Sequence, residues 1–133
     1  MEVIGGIVCE SRVWDFGDIK QGTQAVHDFV SALLEIDPNS KVIVLGDLND
    51  FQFSPPIETL KGNILQNLVE TLPKEERYSY IYEGNSQALD HILISQELQD
   101  NLLSFDILHL NSEFDYASHF SDHDPLIASF SFD

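Results

Sequence analysis

The chain has 133 residues, and 23 Asp and Glu against six Lys and Arg give it a formal net charge of -17. Its 43% hydrophobic content, with nine Phe, supports a folded core rather than an acidic disordered tail, and the length fits one domain rather than two. The charge excludes a basic protein that coats nucleic acid, because neutralising phosphate takes surplus Lys and Arg; an anionic substrate requires a metal ion or a local exception to the overall field. The first apolar run, Val3 to Cys9, reads as a buried strand weakened by Gly5 and Gly6. It has no charged n-region and is too short for a signal peptide, and no run is long enough to span a membrane, so a cytoplasmic location is expected. Cys9 is the only cysteine, which excludes an intrachain disulfide and a cysteine-based zinc site.

Glu10 to Gln21 is polar and irregular, with Gly17 and Gly22 as breakers. Val26, Phe29, Val30, Leu33 and Leu34 then recur at helical spacing and predict an amphipathic helix from Thr23 to Ile36. It ends at Asp37-Pro38, since the residue before proline avoids helical geometry. Lys41 to Leu45 is continuous and β-branched, the pattern of a strand covered on both faces. Ser54 precedes Pro55-Pro56 and is placed to cap a short helix, and Leu65, Leu68 and Val69 fit a further helical turn. Tyr78–Tyr82 and Ala88–Ile94 read as consecutive strands joined at Glu83-Gly84-Asn85. Ser95 is placed to cap a helix from Gln96 to Leu102. Phe105–Leu110 is an expected strand, Asn111–Asp122 a loop and Pro125–Phe132 the last strand.

Three polar clusters sit at strand ends. Asp47 and Asn49, in VIVLGDLND, leave a buried strand two residues apart and so face one way into a cleft. There a carboxylate accepts a proton or holds the attacking water while a carboxamide positions a phosphoryl oxygen; the same pair also makes an ordinary Asx turn. Asp90, in ALDHILIS, costs desolvation unless it is paired, as it is when it orients a histidine, or unless its strand is at an edge. Ser121-Asp122-His123-Asp124-Pro125 sets a metal ligand beside a general acid or base, or else forms an acidic turn. His27 falls at the boundary of the long helix; His91, His109 and His119 lack ligand spacing. The alternation of Tyr78, Tyr80 and Tyr82 points to packing on a strand face.

Taken in order, VIVLGDLND, LDHILIS and SDHDPL, with the helix QAVHDFVSALL ahead of the first, resemble the C-terminal motifs of the endonuclease/exonuclease/phosphatase superfamily, the DNase I-like phosphoesterases. The branch most similar is that of bacterial extracellular-nuclease-like proteins. The resemblance implies an α/β fold: the C-terminal half of a DNase I-like sandwich, with one mixed, mainly antiparallel sheet and a long helix on one face. Residues 1–133 then form a single, partial domain. It implies a metal-dependent hydrolase of phosphodiesters or phosphate esters, nuclease-like, using Mg2+ or Mn2+. Asp47 would activate or orient the attacking water and Asn49 hold the phosphate. Asp122 would bind metal, and His123, oriented by Asp90, would contact the scissile phosphate or act as a base. A divalent ion would also supply the positive charge that the chain lacks.

The family's N-terminal half carries an Asn and a metal-ligating Glu that have no counterpart here, and its further histidine would fall near Cys9–Arg12, where there is none. The expected partners are therefore a phosphate-ester substrate, nucleic acid among them, and a second copy or an N-terminal fragment covering an open sheet face. The alternative is a truncated, catalytically incomplete remnant that acts as a binding or assembly module.

Overall fold

The computed structural model of the protein describes residues 16–132, so the strand expected over Val3–Cys9 lies outside the described residues. Helix α1 (Phe16–Ile36) leads into β1 (Ile43–Asp47), α2 (Pro55–Lys61), β2 (Leu65–Asn67), β3 (Tyr80–Tyr82), β4 (Asn85–Gln87), β5 (Asp90–Ser95), α3 (Gln96–Gln99), β6 (Leu102–Ile107) and β7 (Leu126–Phe130). The α/β class with antiparallel strands is as expected. The strands are divided among three ladders, β1-β5-β2, β3-β4 and β6-β7, where a single sheet was expected.

Several boundaries move for physical reasons. Helix α1 runs through Gly22, which sequence alone marks as a breaker. An exposed mid-helix glycine costs only about 1 kcal/mol, and the burial of Val30 with Val26 and Leu34 against the sheet outweighs it. Phe29, counted on the core face, is 51% exposed. Leu65 begins a strand rather than a helical turn, because it pairs with Ser95. Ser54 and Ser95 do stand at the N-cap positions of α2 and α3, yet neither hydroxyl caps its helix. The Ser95 hydroxyl instead donates to the Ser40 carbonyl at 2.9 Å and accepts from the Val42 amide at 3.0 Å. Tyr78–Tyr82 was expected beside Ala88–Ile94, but β3 folds back on β4 through Glu83-Gly84, both at positive φ, as a two-residue hairpin requires.

Strand β5 lies between β1 and β2 and is buried over five of its six residues. Side chains alternate across a strand, and the two faces of β5 meet different partners. Leu93 joins Val30, Val42, Val44, Leu60 and Leu65 on the helical side. Ile92 and Ile94 join Ile43, Phe105, Leu126, Ala128 and Phe130, which brings the β6-β7 ladder against the other side. The face expected to await a partner is thus covered in part by the chain's own C-terminal strands. Leu93 is fully buried. Leu93→Ala should lower unfolding stability in a urea titration by about 2–5 kcal/mol, from lost transfer energy plus a cavity. A change within ±0.5 kcal/mol would contradict this placement of the core.

Candidate active site

The antiparallel register of β1 and β5 pairs Ile43 with Ile94, Leu45 with Ile92 and Asp47 with Asp90. Two carboxylates therefore stand directly opposite each other on the face turned away from α1 and α2. Like charges at such a position repel, and an isolated sheet has no use for them there. Asp47 also closes the turn that ends β1: its Oδ1 accepts from the Asn49 amide at 2.9 Å. Asn49 takes φ 53°, a left-handed conformation that Asn tolerates. The Asx turn and the carboxylate cluster are both present in the same residues.

Asp90 is held from two sides. Its Oδ2 accepts from the Ser79 hydroxyl at 2.5 Å and from His123 Nδ1 at 2.6 Å. A carboxylate only accepts, so Nδ1 carries the proton and Nε2 is left for an outside partner. The His123 ring lies on Tyr80, with centroids 4.7 Å apart, and its backbone bridges to Tyr80. Burial pulls the His123 pKa down. The hydrogen bond and charge of Asp90, with Asp47 and Asp122 behind it, outweigh burial and hold the pKa above the ordinary histidine value.

The loop that delivers His123 is clamped by its neighbour. Asp124, 2% exposed, accepts from the Asn111 amide at 2.8 Å, the Ser112 amide at 3.0 Å, the Ser112 hydroxyl and His109 Nδ1 at 3.1 Å. The His109 ring is stacked on Tyr78 at 4.0 Å. On the opposite side of β5, His91 is buried; Nε2 donates to the Asp50 carbonyl at 2.8 Å and Nδ1 accepts from the Asn67 amide at 3.0 Å. Burial lowers its pKa, so a neutral imidazole pins the Asp47–Asp50 turn to β5.

Asp47, Asp90 and His123 are the one group among the described residues that offers three metal-capable side chains, with ligand atoms within 4.8 Å of one another. Two carboxylates suit a hard, oxygen-preferring divalent ion, which keeps several waters of its own. Asp122 is exposed and outside that group, and the Asn49 side chain is exposed at the turn. Ser79, Tyr80, His91, His109 and Asp124 also build the site. Sequence reading gave the tyrosines to packing and the two histidines no role; Tyr80 does alternate along a strand, but its packing partner is His123.

The antiparallel α/β fold thus gathers two carboxylates and an Asp-paired histidine at strand ends, with donors for a divalent ion. The model of the endonuclease/exonuclease/phosphatase family matches residues 19–124, and the chain belongs to that family. No curated protein sequence matches the chain. Among solved structures it is similar to a 3′ phosphatase from Neisseria bound to a product DNA hairpin, at 18% identity and TM-score 0.66, covering 88% of this chain and 55% of that one. It is likewise similar to an AP endonuclease from Archaeoglobus fulgidus, at 16% identity and TM-score 0.65, covering 98% and 63%. A mannosyl-6-phosphatase from Bacteroides thetaiotaomicron matches at 19% identity and TM-score 0.62, covering 89% and 47%. The chain therefore spans about half to two thirds of the length of these proteins. Among the described residues no helix is long and apolar enough to cross a membrane.

Proposed function

We propose that the protein hydrolyses phosphate esters, phosphodiesters of nucleic acid among them, at the cluster formed by Asp47, Asp90 and His123. The observation that carries this reading is the facing pair Asp47 and Asp90, with His123 hydrogen-bonded to Asp90. When bound, Mg2+ or Mn2+ neutralises charge on the phosphoryl oxygens and relieves the repulsion between the carboxylates. Asp47 orients the attacking water and takes up its proton through the oxygen that the turn leaves free. Asn49, two residues on, donates its amide to a phosphoryl oxygen. Asp90 fixes the His123 tautomer, and His123 Nε2 meets the scissile phosphate. Asp122, at the rim, adds a carboxylate to the metal side of the site.

The test uses the folded chain with plasmid DNA and a generic phosphodiester reporter, in Mg2+, Mn2+ or EDTA. Cleavage is expected with metal and absent in EDTA. A thermal readout is independent of turnover. Mn2+ at about ten times its dissociation constant should stabilise the chain by about 1.4 kcal/mol, raising Tm by about 3–8 °C. Asp47→Asn should lose that response and melt higher than the parent in EDTA, because it removes the facing charge. No turnover with any metal would overturn the reading for this chain.

A second reading follows from the share of its relatives that the chain spans, and from Leu45, which is 37% exposed on the same face as Asp47. In it the chain is an incomplete, non-catalytic module whose open edge docks on a second copy or an N-terminal fragment. Sedimentation at micromolar concentration separates the two: a monomer that cleaves supports the first, a silent self-associating chain the second.

A further inference from the structure

Beside the carboxylate cleft lies a hollow of about 490 Å³, lined by Phe51, Phe53, Glu70, Lys74, Arg77 and Ala88 among others. It abuts the site through the chain: Phe51 is two residues beyond Asn49 and Ala88 two before Asp90, a reach of at most about 7 Å in each case. Its two notable features are aromatic and cationic. Phe51 and Phe53 are stacked at 5.3 Å with ring planes 2° apart. Phe53 is 70% exposed, so one ring face is supported from behind and the other is open.

The charge here runs against the rest of the chain. Two of the six basic residues, Lys74 and Arg77, line the hollow, and a third, Lys61, sits against its wall. The only carboxylate in the lining, Glu70, is 2.9 Å from Lys61 Nζ, a cation that it shares with Glu58 at 2.7 Å. Lys74 has no ion-pair partner among the described residues. Arg77 is held in place by two hydrogen bonds, Nε to the Leu72 carbonyl and Nη2 to the Glu70 carbonyl, both 2.7 Å, which leaves Nη1 uncommitted. A backed, open aromatic face beside two available cations has the chemistry of a stacking platform for a base with a phosphate clamp.

We propose that this hollow binds a nucleotide unit, with its base on Phe53 and its phosphate on Lys74 and Arg77. It deepens the phosphoester reading and rests on it for the scissile phosphate, which then lies on a neighbouring unit of the same ligand or on its ribose. The site thereby selects nucleotide esters over sugar or lipid phosphates.

The experiment is equilibrium binding to the full chain in EDTA, where hydrolysis plays no part. The probes are adenosine 5′-monophosphate, ribose 5-phosphate and a short single-stranded oligonucleotide. Adenosine monophosphate should bind about tenfold or more tightly than ribose 5-phosphate. Phe53→Ala and Lys74→Gln should each weaken it by a similar factor, and Phe53→Tyr should restore it. Phe53 and Lys74 are exposed, so these variants fold. A stronger grip on the oligonucleotide identifies a nucleic-acid strand as the source of the unit, and equal affinity identifies the free nucleotide. Equal binding of the two small probes, no binding of either, or full binding by Phe53→Ala would overturn the assignment. If cleavage fails while Phe53 still governs binding, only the hydrolase reading falls. If cleavage occurs and Phe53 is irrelevant, only the nucleotide pocket falls.

Discussion

His123→Ala should lower kcat/KM for metal-dependent phosphodiester cleavage by about three orders of magnitude, and Asp90→Asn by about 10²- to 10⁴-fold. The reason is the 2.6 Å bond from His123 Nδ1 to Asp90 Oδ2. It places the ring proton on Nδ1 and leaves Nε2 unprotonated, or protonated only when the ring is charged. An amide at position 90 also presents an NH2 group, which favours the opposite tautomer. Because the two residues act as a unit, the double variant should be little worse than His123→Ala alone. The pH profile supplies a readout that a merely structural defect does not move. The charge of Asp90 raises the His123 pKa, so its removal must lower it. The limb of kcat/KM that reports His123 should therefore shift to lower pH in Asp90→Asn. A variant with the parent rate and an unmoved profile would remove the pair from the mechanism.

The largest expected loss of stability outside the core comes from Asp124→Ala, at about 3–5 kcal/mol by urea denaturation at pH 7. Asp124 is nearly fully buried. Its removal strands two backbone amides, a hydroxyl and the His109 ring, each with a desolvation cost and no acceptor. The effect has a defined pH dependence. Burial pushes the Asp124 pKa up, but the donors from Ser112, Asn111 and His109 outweigh burial and hold it below the usual carboxylate value. A carboxylate with a depressed folded pKa contributes stability in full above its unfolded pKa, and that contribution is lost as pH falls through the folded value. The gap between parent and Asp124→Asn should accordingly be complete at pH 7 and narrow at pH 3. A gap of the same size at both pH values would show that shape, not charge, is what the position supplies.

Local pattern made much of this legible. Helical spacing at Val26, Val30 and Leu34 announces α1, and the β-branched run before Asp47 announces a buried strand, because the periods of helix and strand are properties of the chain itself. Boundaries were less legible where tertiary contact overrides local preference. Helix α1 passes Gly22 because its face is buried. Residues 65–67 extend because β5 offers them a ladder, and Ser95 turns its hydroxyl to Val42 rather than to its own helix. Three ladders replace one sheet because pairing depends on register between distant segments.

The sequence by itself singled out Asp47, Asp90 and His123, which the structure brings into one group. Acidic and amide groups follow a strand, Asp90 opens another and Asp122-His123 precedes the last, and those positions in that order identify the family. Only the tertiary structure decided what they do to one another. Asp47 and Asp90 are 43 positions apart, and their confrontation is a matter of β1-β5 register, where a slip of one residue would put them on opposite faces. The same folding stacks Tyr80 on His123, turns Asp124 inward as the clamp of the loop, and leaves Asp122 exposed beside the cluster. Residue type and spacing are local and can be read along the chain; the meeting of side chains across strands depends on chain closure, which no local pattern contains.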